Sequence, residues 1–316
     1  MTTTLYSIIV EFVQIAVVLL AGPALAGWVR MLKCRMQGRT SAGVLQPYRD
    51  IMKLFVKDVV LAENASWIFR FTPYLVFGAT VMAGAIIPVI STVLPSAPAA
   101  DIIALVAIFA MARFFTALAG MDAGTAFGGM GSSREMTVAT LAEPAMLMSV
   151  FTVSLVSGST SLSQMAQVVT TNPLMLRPSL AFALLAFILI AVAETGRIPV
   201  DNPATHLELT MLHEAMTLEY SGRHLALIEW AKMIKLFLYA ALGVALFFPW
   251  GIAGATPLWM LPAAVFYLAV KMAIVGAVIV LIETPLAKMR IFRVTEFLGM
   301  AFLFATIGML SYFMLE

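Results

Sequence analysis

Eight long apolar runs, separated by polar stretches, make up most of the chain. They extend from about Leu5 to Val29, Trp67 to Leu94, Asp101 to Met121, Met136 to Ser157, Leu176 to Glu194, Trp230 to Phe248, Leu258 to Ile282 and Ile291 to Leu315. A membrane-crossing helix needs about 20 mostly apolar residues, so each run predicts one. Pro23, Pro73 and Pro88 fall inside these runs, which is tolerated where neighbouring helices satisfy the freed backbone. The fold class expected is all-α: a polytopic membrane protein with a bundle of about eight transmembrane helices and helical cytoplasmic loops. Residues 1–316 form a single transmembrane domain, with cytoplasmic loops at about 30–66, 122–135, 195–229 and 283–290. No direct or inverted repeat is visible, which argues against an autonomous transporter.

The loop charges orient the bundle. Nearly all Lys and Arg residues lie in or beside the connections after the first, third, fifth and seventh runs; only Arg113, Arg177 and Lys271 lie elsewhere. The positive-inside rule makes that side cytoplasmic. Both termini are then expected on the outer, periplasmic side of the inner (cytoplasmic) membrane. The first run has no basic stretch before it and is long enough to span, so it reads as a helix rather than a cleaved signal.

Composition agrees with a lipid environment. The 316 residues are 62% hydrophobic and 11% charged, against about 25% charged in a soluble domain. A net charge of +2 gives no reason to expect nucleic-acid binding. The single cysteine, Cys34, can form no internal disulfide, and no iron–sulfur or zinc spacing of cysteines exists. Any electron-transfer centre is therefore expected on a partner. His213-Glu214 could open a zinc-protease motif, but the second histidine it requires is replaced by Thr217.

Polar segments carry the remaining information. In the first loop, Tyr48, Ile51, Met52, Phe55 and Val59 form an apolar stripe at helical spacing, with Arg49, Lys53 and Lys57 beside it. Such a helix is either a surface anchor or a docking face for a peripheral partner. In the third loop, Glu194, Arg197, Pro199 and Asp201 are followed by a mixed stretch holding His206, Glu208, His213, Glu214 and Glu219. Glu194 and Arg197 are spaced to pair at i, i+3. Glu11, Arg113, Glu143, Lys271 and Glu283 fall inside apolar runs. A charge at the bilayer centre costs about 2.5–3.5 kcal/mol on insertion scales, so each either belongs to an internal ion pair or serves function. Burial favours a neutral carboxyl and a nearby guanidinium favours the charged form; a proton relay can exploit that opposition.

Three motifs then resemble a known family. Gln46, Asp50, Lys53, Leu54, Lys57 and Asp58 keep a Q-x-x-x-D-x-x-K-L-x-x-K-[ED] spacing. Arg134 and Glu143 keep the spacing of an R…SYE element, while Glu194, Arg197, Pro199 and Asp201 match E-x-x-R-x-P-[FV]-D. Glu219-Tyr220-Ser221-Gly222 matches a closing EYSG. Together they resemble the membrane subunit of respiratory complex I that joins its redox and proton-pumping arms, the subunit 1 or H family. Where complex I carries a run of acids, this chain has Ala204 and His206, although Glu208 remains. Tyr48-Arg49-Asp50 is closer to membrane-bound hydrogenases of the formate hydrogenlyase and hydrogenase-4 type.

The resemblance implies a subunit with no catalytic residue, metal site or redox centre of its own. Nickel–iron and iron–sulfur centres would sit on hydrogenase-like large and small subunits and an iron–sulfur subunit. Antiporter-like membrane subunits and the bilayer would be the other partners. Glu143, Glu194, Asp201, Glu208 and Glu219 would be protonatable or coupling groups, with Arg134 and Arg197 as counter-charges. Arg35, Arg39, Asp50 and Lys53 would form the docking face. Two alternatives stay open: a subunit lining a quinone tunnel in an NADH:quinone oxidoreductase-like complex, and an autonomous ion transporter.

Overall fold

The computed structural model describes residues 2–62, 64–92, 94–96, 100–171, 177–197, 213–252, 261–284 and 292–315. Its helices are α1 (Thr2–Met36), α2 (Gln46–Val56), α3 (Trp67–Ile86), α4 (Ile102–Asp122), α5 (Ala126–Ser157), α6 (Leu162–Thr171) and α7 (Pro178–Glu194). They continue as α8 (His213–Thr217), α9 (Gly222–Phe247), α10 (Leu261–Glu283) and α11 (Phe292–Leu315). Seven are long and apolar enough to cross a membrane, and α7, with 17 residues, is the shorter apolar eighth. No strand occurs among the described residues, where Asp101 and Ser161 form an isolated bridge. The chain is a multi-pass, all-α membrane protein.

Helix ends follow local chemistry more closely than hydropathy. Ser66, Asp101 and Thr125 cap α3, α4 and α5, each side chain accepting a backbone N–H of the first turn. Thr125 therefore starts α5 at Ala126, ten residues before its apolar run begins at Met136. At 32 residues α5 is about 48 Å long, more than the roughly 30 Å hydrocarbon layer. Its polar first turns still pack: the buried Ser132 hydroxyl donates to the Ala117 carbonyl on α4 at 2.8 Å. Likewise α1 continues to Met36 and carries Lys33, Cys34 and Arg35 on a helix. α6 has no counterpart among the apolar runs. Its start is tied to that of α4 by Leu162 N–H to Ala100 O at 2.9 Å.

Apolar packing is similar in many registers, so polar contacts select one. Gln14 on α1 is fully buried. Its amide nitrogen lies 3.0, 3.2 and 2.9 Å from the carbonyls of Gly84, Ala85 and Ile87, where α3 ends. Its oxygen accepts from the N–H groups of Val89 and Ile90, both at 3.3 Å. One side chain thus satisfies an irregular, buried stretch of backbone that no water reaches. Elsewhere α11 packs on α5 and α7, α4 on α3 and α5, and α9 on α1, α3 and α2.

Replacing Gln14 with Leu keeps the volume and removes every one of these partners. Each orphaned buried polar group costs about 1–3 kcal/mol, so Gln14→Leu should destabilise the purified chain by at least ~2 kcal/mol. Thermal unfolding in detergent checks this; an unchanged midpoint would show that the α3 end does not depend on Gln14.

Candidate functional site: a buried charge cluster

The cluster is built on Arg113, near the middle of α4 and only 7% exposed. Its guanidinium reaches acids on two other helices. It pairs with Glu143 on α5 at 2.8 Å, with Glu194 at the end of α7, and with Glu135 on α5 at 3.5 Å. Glu194 also accepts from Lys235 on α9 at 3.0 Å. The outer oxygen of Glu135 lies 2.8 Å from Nδ1 of His213, the first residue of α8. Tyr239, one turn after Lys235, stacks on Phe109 with ring centres 5.2 Å apart, and the Lys235 ammonium stands 5.8 Å from its centroid. Five helices therefore meet at one charged knot.

The charged groups in contact are unequal in number. Among the described residues, the acids Glu135, Glu143 and Glu194 face the fixed cations Arg113 and Lys235. Burying net charge is costly.

Solvent can reach this knot. A cavity of about 130 Å³ is lined by Arg113, Glu135, Glu194, His213, Lys232 and Lys235, with Thr80, Thr116, Thr195 and Thr217 among the rest. Charged and hydroxyl side chains face into it, and it is roomy enough for water. A much smaller pocket, about 10 Å³, lies beyond Arg113 and touches Glu143, Glu194 and Tyr239. Arg113 thus stands between the larger cavity and the Glu143 side. The Glu143 side chain is 35% exposed, within a helix that crosses the membrane.

The residues singled out in the sequence divide between this cluster and other places. Glu143 and Glu194 belong to it. Asp201 and Glu208 lie outside the described residues, as do Ala204 and His206. Glu219 is half-buried in the turn between α8 and α9. Arg134 is half-buried on α5 beside Glu135, but the guanidinium that meets Glu143 and Glu194 is that of Arg113. The expected Glu194–Arg197 pair is not formed. α7 ends at Glu194, and Gly196 turns the chain with φ +64° while Arg197 N–H bonds back to Val192 O at 3.0 Å. Arg197 consequently faces α10 and pairs with Glu283 at 3.1 Å, which also binds Lys33. Lys271 donates to the carbonyls of Phe248 and Trp250 beyond the end of α9, and Glu11 is half-buried on α1.

Glu135, His213 and Lys235 were not legible as a site. Glu135 borders an apolar run and Lys235 lies in the first turns of one, so both read as ordinary flanking charges. One available signal was that Glu135 lies eight residues, just over two turns, before Glu143.

The motif loops are joined beside the cluster. Tyr220 stacks on Phe69 with ring centres 4.0 Å apart and donates to the Phe69 carbonyl at 2.9 Å. Burial pushes its hydroxyl well above the usual phenol range. The Ser221 hydroxyl accepts from Val60 N–H at 2.8 Å and donates to Val60 O at 2.9 Å. Gly222 has φ +52°, and a β-carbon there would lie 2.5 Å from the Asp58 carbonyl; only glycine fits. EYSG is thus a clasp between the third loop and the first. In that first loop, α2 buries Pro47 and Ile51 and leaves Met52, Phe55 and Val56 exposed. Arg35, Arg39 and Lys53 are exposed near it, and half-buried Asp50 accepts from Gln46 at 2.8 Å. No group of three or more His, Cys, Asp and Glu that could hold a metal occurs among the described residues.

Removing Arg113 strands three acids. Breaking a buried pair by deleting one partner costs about 3–5 kcal/mol, so Arg113→Gln should destabilise the chain on that scale. Arg113→Gln combined with Glu194→Gln should recover part of the loss. Unfolding midpoints of the two variants decide this; no recovery in the double variant would mean that Arg113 and Glu194 are not energetically coupled.

Residues 9–314 match the NADH dehydrogenase family. The chain is 32% identical to formate hydrogenlyase subunit 4 of Escherichia coli, over 90% of this chain and 92% of that one. It is also 32% identical to hydrogenase-4 component C of the same organism, over 96% and 95%. NADH-quinone oxidoreductase subunit 8 of Rhodothermus marinus is 27% identical over 66% of this chain and 61% of its own. Among solved structures, a chain of the membrane-bound sulfane sulfur reductase, an archaeal respiratory membrane complex, superposes with a TM-score of 0.83. That match covers 98% of this chain and 99% of that one at 18% identity, and shows the shared fold. With the helical bundle, the EYSG clasp and these matches in agreement, the chain belongs to the NADH dehydrogenase family, of the complex I subunit 1 or H type.

Proposed function

We propose that this chain is the anchoring and coupling subunit of a complex I-like membrane-bound hydrogenase of the formate hydrogenlyase or hydrogenase-4 type. It resides in the cytoplasmic membrane with both termini outside. The relatives matched along nearly their whole length, at 32% identity, carry those names, whereas quinone-oxidoreductase relatives are matched at 27% identity over 66% of this chain and at 28% over 81%. That difference favours the hydrogenase reading over a quinone tunnel. Hydrogenase-like large and small subunits and an iron–sulfur subunit would supply the nickel–iron and iron–sulfur centres. They would dock on the basic face, against Arg35, Arg39, Asp50 and Lys53. Antiporter-like subunits would lie beside the bundle in the membrane.

The observation that carries the coupling role is Arg113 held among three acids, one of which bonds to a histidine on the third loop. A redox event in the peripheral arm moves that loop, and His213 moves with it. Separating His213 from Glu135 forces the cluster to take up a proton or to shift Arg113. Glu143, on the far side of Arg113 and partly exposed, passes the change to a membrane neighbour. Asp201, Glu208 and Glu219 would be further protonatable groups of the third loop, with Arg134 and Arg197 as counter-charges.

In the assembled complex, Glu194→Gln and Glu143→Gln should each lower ion-gradient formation at least tenfold. Hydrogen evolution from an artificial electron donor should stay within twofold of wild type. Paired measurements of gradient and hydrogen in inverted vesicles test this, and full coupling in both variants would overturn the assigned role.

A further inference from the structure

A second cavity, unrelated to the acids, lies between α7, α9 and α10. Its volume is about 470 Å³ and its lining is apolar along its length. Phe187 and Ala191 form one wall, Ile274 and Val278 the other, and Ala240 and Val244 the floor. α7 and α10 scarcely touch each other, so the slot stays open between them. Ile274 and Val278 are 59% and 43% exposed, which places the opening towards the membrane. Along α9 it runs from Leu236 to Phe248, about 18 Å at 1.5 Å per residue.

The two ends differ. At one, Lys271 is occupied by the carbonyls of Phe248 and Trp250 and closes the slot. At the other, Arg197 and Lys33 share the single carboxylate of Glu283, leaving one positive charge in excess among the described residues. The Arg197 Nε is buried and has no hydrogen-bond partner among them. A hydrocarbon slot with a guanidinium at its mouth, one N–H of which is unpaired among the described residues, suits a lipid with an anionic head. A helix, about 10–12 Å wide with its side chains, is too thick for a space of this volume and length.

We propose that the slot holds the acyl portion of one anionic phospholipid, with its phosphate against Arg197. The inference is independent of the hydrogenase assignment. It gives the lipid a physical task. Tyr239 lines both this slot and the small pocket at Glu143 and Glu194, so an acyl chain there keeps water from the flank of the charge cluster.

The test is native mass spectrometry of the full chain after reconstitution in phosphatidylglycerol or phosphatidylcholine nanodiscs and release into detergent. Wild type should retain one phosphatidylglycerol per chain. Ala191→Phe and Ile274→Phe, which fill the slot from opposite walls, should each reduce that adduct at least tenfold; Ile274 is exposed enough for its replacement to leave folding intact. Arg197→Gln should keep an adduct and lose the preference for phosphatidylglycerol. Undiminished retention in both filled variants would overturn the proposal. So would an isoprenoid mass in place of the phospholipid, or disulfide capture of a partner's helix by Ile274→Cys in the assembled complex.

Discussion

A guanidinium in the middle of a membrane-crossing helix sets terms that the surrounding helices must meet. Arg113 lies among apolar neighbours on α4, and on insertion scales a single such charge costs about 2.5–3.5 kcal/mol. The chain answers with three acids from α5 and α7 and sets Lys235 on α9 against one of them, Glu194. No member is stable without the others, so the mutual positions of these four helices follow from the ion pairs as much as from apolar packing. Three carboxylates, two fixed cations and one histidine ring are thus held in direct contact across these helices.

Away from the cluster, polar contacts decide registers that greasy surfaces leave undecided. Gln14 fixes α1 against the broken end of α3 through its amide. Tyr220, Ser221 and Gly222 fasten the third loop to the first through backbone contacts. These clasps are uncharged and rigid, whereas His213 meets the cluster through a single ring. The loop is therefore held firmly at its closing end, with a titratable group at the other end of the short α8 segment. A mechanical input to such a loop would act first on the His213–Glu135 contact.

The helices were legible because length and apolarity are nearly all a span requires. Their ends were not, because capping and packing decide them: Thr125 starts α5 well before its apolar run, and Gly196 stops α7 before Arg197 can join Glu194 on one face. Glu143, Glu194 and Arg113 stood out as charges within or at the edge of apolar segments. Glu135 and Lys235 did not, since charges beside a span or in its first turns are ordinary. Gln14 gave no signal at all: an uncharged amide in an apolar run is identified as a clasp only once its five partners are in place.

Tyr239 marks the boundary between two environments. On one side is the small pocket at Arg113, Glu143 and Glu194; on the other is a slot whose lining is mostly hydrocarbon. Electrostatic interactions strengthen as the local dielectric falls, so how well water is kept from the Tyr239 side governs how strongly the acids sense one another. A coupling device needs both conditions: enough water on one face for a proton to arrive, and enough dryness on the other for its arrival to be felt by Glu143. With aromatic neighbours Phe109 and Phe187 holding its ring, Tyr239 can maintain that division without carrying charge itself.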